Sequence, residues 1–146
     1  MRAVIQRTSE ASVVVSNETV AQIGIGLLIL LGISRRDTEA AADYLAHRIP
    51  RLRIFEDSER KMNRDVSEVG GSLIVVPNFT LYGDCVKGRR PSFDMAARPD
   101  SAEALFEYFC ERLATSGVLT QRGVFRANMK VNLINNGPVT LVIDSP

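Results

Sequence analysis

Polar groups follow directly on an apolar run in the middle of the chain. The aliphatic residues 73–76 predict a buried strand, which Pro77 is expected to end because proline has no N–H to give to a sheet. Asn78 and Thr80 then offer an amide and a hydroxyl beside the backbone N–H groups of Phe79 and Thr80. Two adjacent N–H groups released from a sheet can stabilise an oxyanion without a side-chain nucleophile. The stretch is therefore consistent with hydrolysis of an activated ester, and equally with a strand followed by a solvated turn.

A second candidate group is Asn136-Gly137-Pro138, between two apolar runs near the end of the sequence. Asn-Gly in that setting is typical of a hairpin turn. A Gly-Pro bond, however, adopts the cis form far more readily than other peptide bonds, and glycine lets a ligand touch the backbone. The sequence therefore predicts either a hairpin or a rigid unit that projects its carbonyl groups in a fixed direction.

Three basic residues, Lys87, Arg89 and Arg90, follow the first candidate group closely, and the further basic residues that could extend this group are Lys61, Arg64, Arg122, Arg126 and Lys130. Each alone is typical of a solvated charge, whereas together they are equally suited to contact a phosphate backbone. The whole chain has 18 basic and 17 acidic residues and a net charge of +1, which argues against nucleic-acid binding through bulk positive charge. Any such contact must come from a local patch.

Conventional catalytic groups are scarce in this sequence. The single histidine, His47, is expected on the surface, so a Ser-His-Asp triad has no support. Cys85 and Cys110 have no close Cys or His companion, and free bystander thiols are expected rather than a zinc site or a disulfide. We therefore expect neither a metal nor a cofactor.

The N-terminal part predicts strands and then a helix. Residues 1–7, 11–15, 18–23 and 26–33 read as four short strands separated by turns, which indicates an antiparallel meander. Asp37 or Thr38 can cap a helix whose apolar residues recur at helical spacing, and Pro50 should end or kink it.

The C-terminal part predicts a second helix and further strands. Asp100 and Glu103 form a capping-box pattern, and Gly117 is placed to terminate the helix. Strands are expected near residues 118–121, 129–134 and 139–143. Without an alternation of strands and helices, the predicted class is α+β: one domain over residues 1–146, with mostly antiparallel sheet and two main helices.

No stretch approaches the roughly 20 apolar residues of a membrane span. The longest apolar run, residues 23–33, is interrupted by three glycines. Residues 1–7 alternate like a strand and do not resemble a secretory signal. A cytoplasmic protein is expected.

Six motifs, in order along the chain, resemble those of the D-aminoacyl-tRNA deacylases. They lie at residues 1–7, 52–57, 61–63, 79–84, 88–93 and 136–140, and read MRAVIQR, LRIFED, KMN, FTLYGD, GRRPSF and NGPVT. Any one of them would be weak, whereas the ordered set over essentially the whole chain is highly specific.

The resemblance implies a homodimer of β-rich, barrel-like subunits. It further implies hydrolysis of the ester that joins a D-amino acid, or glycine mischarged on tRNA, to the terminal ribose, whose 2′-hydroxyl assists. The pocket would lie at the subunit interface, with Gly137 and Pro138, held cis, inserted from the partner to recognise the α-amino group and exclude L side chains. Arg7 matches the arginine that holds this unit, and the amides of Phe79 and Thr80 would face the scissile carbonyl.

One motif departs from the family pattern. The usual Ser-Gln-x-Thr reads Pro77-Asn78-Phe79-Thr80, so the hydroxyl is lost and Asn78 presents the substrate-binding amide on a shorter stem. A sister branch that removes L-alanine from tRNA also carries proline first, and editing of L-alanyl-tRNA stays an alternative. Another is a nucleic-acid-binding module without catalysis. Arg7 and Phe79 favour the D-specific branch.

Overall fold

The computed structural model describes residues 1–86 and 88–146. It consists of a six-stranded mixed sheet, a separate two-stranded sheet and two α-helices. In chain order the elements are β1 (Arg2–Val15), β2 (Glu18–Ile23), β3 (Gly26–Gly32), α1 (Glu39–Arg48), β4 (Phe55–Glu56), β5 (Met62–Arg64), β6 (Ser72–Pro77), α2 (Pro99–Ala114), β7 (Thr120–Arg122) and β8 (Met129–Asp144). Two 3₁₀ helices span Ile49–Arg51 and Phe79–Tyr82; the second is termed the site helix.

β1 is the strand on which the large sheet is built. Its residues 2–8 pair antiparallel with β3 and its residues 11–15 with β2, while β8 pairs along almost its whole length. The predicted breaks at residues 8–10 and the simple meander are therefore wrong. Polar residues 8–10 remain in the strand because the register with β8 shifts on both sides of Thr8.

β6 lies between β3 and β7 and runs parallel to both. Parallel neighbours need a long crossover, and α1 and α2 lie within these two connections. The predicted absence of strand–helix–strand order is therefore wrong at these two connections, where long loops and the small β4–β5 sheet separate the elements and obscure the order in the sequence. The remaining pairs are antiparallel, and the predicted α+β class with two main helices is confirmed.

The large sheet buries apolar side chains on both faces. One face packs against α1 and α2, through Phe106, Phe109 and Leu113 among others. Val13, Leu28 and other residues on the opposite face form a second cluster inside the curled, barrel-like sheet. Residues 73–76 of β6 contribute to both clusters, as their continuous apolar run predicts.

α1 begins where the sequence predicts, with Thr38 at the N-cap, and it ends one residue before a 3₁₀ turn that contains Pro50. His47 is exposed on it, as expected. Among residues 1–86 and 88–146, no helix is both long and apolar enough to cross a membrane.

The capping box predicted for α2 is wrong. The helix begins at Pro99, with Arg98 at the N-cap and no side-chain capping bond. Proline is favoured at the first helical position, where its missing N–H has no intrahelical role, so Pro99 sets the start and Asp100 lies inside the first turn.

β6 also differs from the prediction at its end. Pro77 was expected to lie outside the strand and to end it, but it is the last residue within the strand. It pairs with Leu31 of β3, and the next amide, that of Asn78, donates to the Leu31 carbonyl over 2.8 Å. β7 ends opposite Val75, so the strand requires no N–H from Pro77 on that side.

Candidate active site

The site helix begins directly where β6 ends. Asn78, at its N-cap, is extended (φ −145°, ψ 90°). The first N–H groups of a helix have no acceptor within it. In the described part of the chain, neither the Phe79 nor the Thr80 amide donates a hydrogen bond. The pair of backbone donors predicted from the sequence is therefore available to a ligand.

Asn78 and Thr80 are joined by their side chains. The Thr80 hydroxyl donates to the Asn78 side-chain carbonyl oxygen over 2.5 Å. This bond occupies the hydroxyl proton and leaves the Asn78 NH₂ group as the donor end of that side chain. Asn78 is half-buried and Thr80 is exposed, so the polar pair lies at an edge rather than in the core.

A cavity of about 960 Å³ opens beside this edge. Asn78, Phe79 and Thr80 line one side of it, and apolar side chains such as Val76 and Met129 form much of the rest. A concave, mostly apolar space with a few polar groups at one edge is typical of a small-molecule site, and its volume is large enough for a nucleoside with an attached amino acid.

Two phenylalanines stand on the same side of this cavity. The Phe79 and Phe93 rings meet edge to face with centroids 5.0 Å apart. Asp84 and Ser92 exchange backbone hydrogen bonds and hold the Phe93 segment against the site helix. Although it is large and apolar, Phe79 is 57% exposed, so its ring lies open to a ligand or a partner surface.

The far end of the site helix is fixed by Arg2. Its guanidinium lies 5.6 Å from the centre of the Tyr82 ring, and Nη1 donates to the Leu81 carbonyl over 3.4 Å. The same guanidinium donates to Asp144, which lowers the pKa of that carboxyl. Burial raises the pKa of the Tyr82 hydroxyl.

The Gly137-Pro138 bond is cis, and the hairpin alternative is wrong because β8 runs through both residues. Gly137 has φ +134°, a conformation that side chains with a Cβ rarely adopt. Both residues are exposed. The structure thus presents this unit at the surface of the strand.

Arg7 supports the unit from the protein interior. The residue is 5% exposed; Nε donates to the Asn136 carbonyl over 2.9 Å and Nη1 to the Ile54 carbonyl over 2.6 Å. Nη2 lies 4.0 Å from the Glu56 carboxylate. The backbone before Gly137 is therefore tied to a buried cation and, through it, to the segment before β4.

Asn135 is a further support that the sequence analysis missed. Its Oδ1 accepts from the Val139 amide over 2.9 Å, and its NH₂ donates to the Val139 carbonyl over 3.2 Å. This single side chain spans the Gly137-Pro138 unit from one side to the other. The signal in the sequence is the pair of asparagines before Gly-Pro, because asparagine side chains often bond to the nearby backbone.

Within one chain, the structure separates the two predicted groups. Among the described residues that line the cavity, Asn78, Phe79 and Thr80 are present, and Arg7, Gly137 and Pro138 are not. The cavity edge and the Gly-Pro unit therefore do not line one common cavity within the described residues of a single chain.

The predicted basic loop lies apart from the cavity. Arg89 and Arg90 are exposed and do not line it, and Lys87 lies outside the described residues. Two other arginines, Arg98 and Arg126, do line it. Arg98 was not among the predicted site residues, and Arg126 was considered only as one of several basic residues that could extend the loop of Lys87, Arg89 and Arg90.

The two cysteines lie in different environments. Cys110 is buried in α2, and burial raises the pKa of its thiol to about 12, so it stays protonated at neutral pH. Cys85 is exposed. No group of three His, Cys, Asp or Glu residues suited to a metal ion occurs among residues 1–86 and 88–146.

The fold and the site define an α+β protein with a mostly apolar pocket whose edge carries Asn78, Phe79 and Thr80. The family model for D-Tyr-tRNA(Tyr) deacylase matches residues 4–144. The chain therefore belongs to that family, and the resemblance inferred from its motifs is confirmed.

Individual relatives agree with this assignment. D-aminoacyl-tRNA deacylases of Symbiobacterium thermophilum and Thermus aquaticus are each 55% identical over 145 residues, which cover 99% of this chain and 96% and 95% of theirs. A solved structure described as c-Myc DNA unwinding element binding protein is 37% identical, with a TM-score of 0.93 over 100% of this chain and 99% of that one. A probable eukaryotic D-amino acid tRNA deacylase, 21% identical, shares the fold with a TM-score of 0.83 over 98% of both chains.

Proposed function

We propose that this chain hydrolyses the ester bond of D-aminoacyl-tRNA, and of glycine mischarged on tRNA, to give free tRNA and the free amino acid. Membership of the family and the 55% identity to D-aminoacyl-tRNA deacylases over nearly the whole chain support an enzyme of this class. One structural observation carries the proposal. The backbone N–H groups of Phe79 and Thr80 lie at the edge of a large cavity and donate no hydrogen bond among the described residues.

The proposed chemistry needs little from side chains. The aminoacyl ester is already activated, and the two amides would donate to its carbonyl oxygen as negative charge develops there. One such donor typically contributes a factor of about 10² to 10³ in rate. The ribose 2′-hydroxyl beside the ester would assist the attack of water on the ester carbonyl carbon. Asn78, whose NH₂ group donates no hydrogen bond among the described residues, would contact the substrate near the same edge.

Selection of the D-amino acid would come from a second subunit. Gly137 and Pro138 are exposed, held by Arg7 and Asn135, and absent from the cavity of their own chain. In a two-fold dimer each subunit would insert this unit into the other's cavity, since such an interface uses the same surfaces twice. Its backbone carbonyls would accept from the α-amino group and leave no room for an L side chain.

The tRNA would also contact the basic loop. Arg89 and Arg90 are exposed and available for phosphate contacts, and the proposal extends to Lys87 from the sequence alone. Because charged tRNA is made and used in translation, the function agrees with the cytoplasmic location expected from the sequence.

The test is a deacylation assay of the purified protein without added metal. D-tyrosyl-tRNA and D-aspartyl-tRNA should be hydrolysed and their L counterparts should not. Equal hydrolysis of both enantiomers would refute the exclusion mechanism. A preference for L-alanyl-tRNA over D-alanyl-tRNA would assign the chain to the sister branch, and tight tRNA binding without any turnover would favour a binding module.

The Thr80 hydroxyl is expected to be dispensable. It is an exposed group whose proton is donated to Asn78, whereas the amide at the same position is the proposed catalytic donor. Thr80→Ala should therefore keep deacylation of D-tyrosyl-tRNA within about tenfold of the wild type, since the backbone N–H survives. A complete loss of activity in a folded protein would show that the hydroxyl is essential.

A pair of substitutions at position 79 isolates the amide itself. Phe79 is the first residue of the site helix and follows an extended Asn78, so proline fits there without altering the backbone. Phe79→Ala removes only the ring, and Phe79→Pro removes both ring and N–H. The proline variant should be slower than the alanine variant by about 100-fold. Equal rates for the two would exclude this amide from the mechanism.

A further inference from the structure

Arg98 and Arg126 are the two cationic side chains among the described residues that line the cavity. Arg98 precedes α2, and Arg126 lies in the connection between β7 and β8, so they come from different parts of the chain. Both are exposed, and neither forms an ion pair within the described part of the chain. The acidic residue on the same lining is Asp94, whose carboxylate accepts from the Ser92 hydroxyl over 2.7 Å.

The backbone at Arg126 is a separate indication that its side chain has a role. Its φ is +61°, in the left-handed region that favours glycine or asparagine, and it sits in a turn closed by a bond from the Ala127 amide to the Val124 carbonyl. This backbone conformation is less stable for arginine than for glycine, because the arginine Cβ lies too close to the following carbonyl oxygen. Unfavourable backbone at a cavity wall is characteristic of functional positions.

We propose that Arg98 and Arg126 bind backbone phosphates at the 3′ end of the tRNA as it enters the cavity. This inference rests on the proposed function, because the substrate is then a polyanion whose last phosphate lies one nucleoside away from the scissile ester. An apolar cavity can hold the nucleoside and the amino acid, while planar guanidinium groups on its rim match phosphate oxygens in pairs. The two arginines thereby contribute binding energy that holds the 3′ end of the tRNA at the cavity.

The roles of the two basic groups differ in this scheme. Arg89 and Arg90, which do not line the cavity, would meet more distant parts of the tRNA. Arg98 and Arg126 act at the cavity itself, and they should distinguish a short ligand with a phosphate from the same ligand without one.

The test uses a matched pair of competitive inhibitors: the non-hydrolysable 3′-amide analogue of D-tyrosyl-adenosine, and its 5′-monophosphate. In the double variant Arg98→Ala/Arg126→Ala, KM for D-tyrosyl-tRNA should rise at least tenfold with little change in kcat. The inhibition constant of the monophosphate should rise as well, and that of the phosphate-free analogue should stay within about twofold. The slope of log KM against log salt concentration should fall by about 1.4, or 0.7 for each lost contact to a single strand.

Two further variants separate this role from structural effects. Arg126→Gly suits the left-handed backbone, so its thermal midpoint should equal or exceed that of the wild type while KM for tRNA still rises. Arg48→Ala/Arg51→Ala removes the same charge from exposed positions that do not line the cavity, and KM should be unchanged.

Each contrary result is informative. An unchanged KM in the double variant, or equal weakening of both inhibitors, would overturn the phosphate assignment while wild-type hydrolysis still upheld the proposed function. Failure of the wild type to hydrolyse any D-aminoacyl-tRNA would instead refute the proposed function, and this inference with it.

Discussion

Replacing Gly137 with alanine is expected to lower D-tyrosyl-tRNA deacylation by at least about 100-fold, because a displacement near 1 Å in a positioning group can cost that much. Gly137 has φ +134°, which an alanine adopts only with strain. A Cβ there would lie 2.8 Å from Arg7 Nη2 and 2.8 Å from Val139 Cγ2. Arg7 donates to the Asn136 carbonyl and Val139 directly follows Pro138, so a shift of either neighbour is expected to displace the carbonyl groups proposed to bind the substrate.

The matched control is Gly24→Ala. At Gly24 the nearest heavy atom to an added Cβ is the Ser9 carbonyl oxygen, at 3.9 Å, which is an ordinary van der Waals contact. The backbone at Gly24 does not have the positive φ that strains an alanine. This variant should retain wild-type deacylation. Full activity of Gly137→Ala, measured beside it in single-turnover assays, would contradict the recognition role.

Mixing variants also tests the proposed exchange between subunits. Gly137→Ala and Phe79→Pro each disable a different half of the site. In randomly mixed dimers, one heterodimer cavity has both intact halves, so about a quarter of wild-type activity should return. If the two halves acted within one chain, the mixture would remain inactive.

Replacing Arg7 is expected to affect stability and activity together. Arg7→Ala leaves the buried Ile54 carbonyl and the partly buried Asn136 carbonyl without their donors. Lost hydrogen bonds of this kind should lower the free energy of unfolding by about 2 to 4 kcal/mol. Urea unfolding monitored by circular dichroism measures the change. Deacylation should fall even where the variant is fully folded, because the Gly137 backbone loses its anchor.

Arg7→Lys and Arg53→Ala complete this experiment. Lysine keeps the charge but presents one ammonium group, which cannot span both carbonyls, so it should restore only part of the stability. Arg53 is exposed and also donates to a backbone carbonyl, that of Asn63. Its loss should cost less than about 1 kcal/mol. A cost for Arg7→Ala as small as that for Arg53→Ala would show that the buried anchor is not required.

Local sequence signals predicted those parts of the fold that depend on local physics. The continuous apolar run at 73–76 became a strand buried on both faces, and the helical spacing around Leu45 became α1. The pairing of strands was not predictable in the same way. Residues 2–8 and 11–15 are one strand because β8 spans both, and this partner lies more than 100 residues away.

The candidate site also has parts that depend on local sequence and parts that depend on tertiary folding. Phe79, Thr80 and the cis Gly137-Pro138 unit were identified from short motifs whose chemistry is contained in a few consecutive residues. Arg98 and Arg126 carry no such motif, since their relation to the cavity arises only from tertiary folding. The sequence suggested Arg126 only as a possible extension of the basic loop, and the two arginines could be assigned to the cavity only after it had been described.

The shared strand β1 also has a consequence for how the chain folds. Its largest set of contacts is with β8, more than 100 residues away in sequence, and such distant pairing slows folding because a long loop must close first. Arg7 and Asn136 lie on these two strands. We therefore expect the anchor of the Gly-Pro unit to form only when β1 and β8 pair, and a partly folded chain that lacks this pairing should have no deacylase activity.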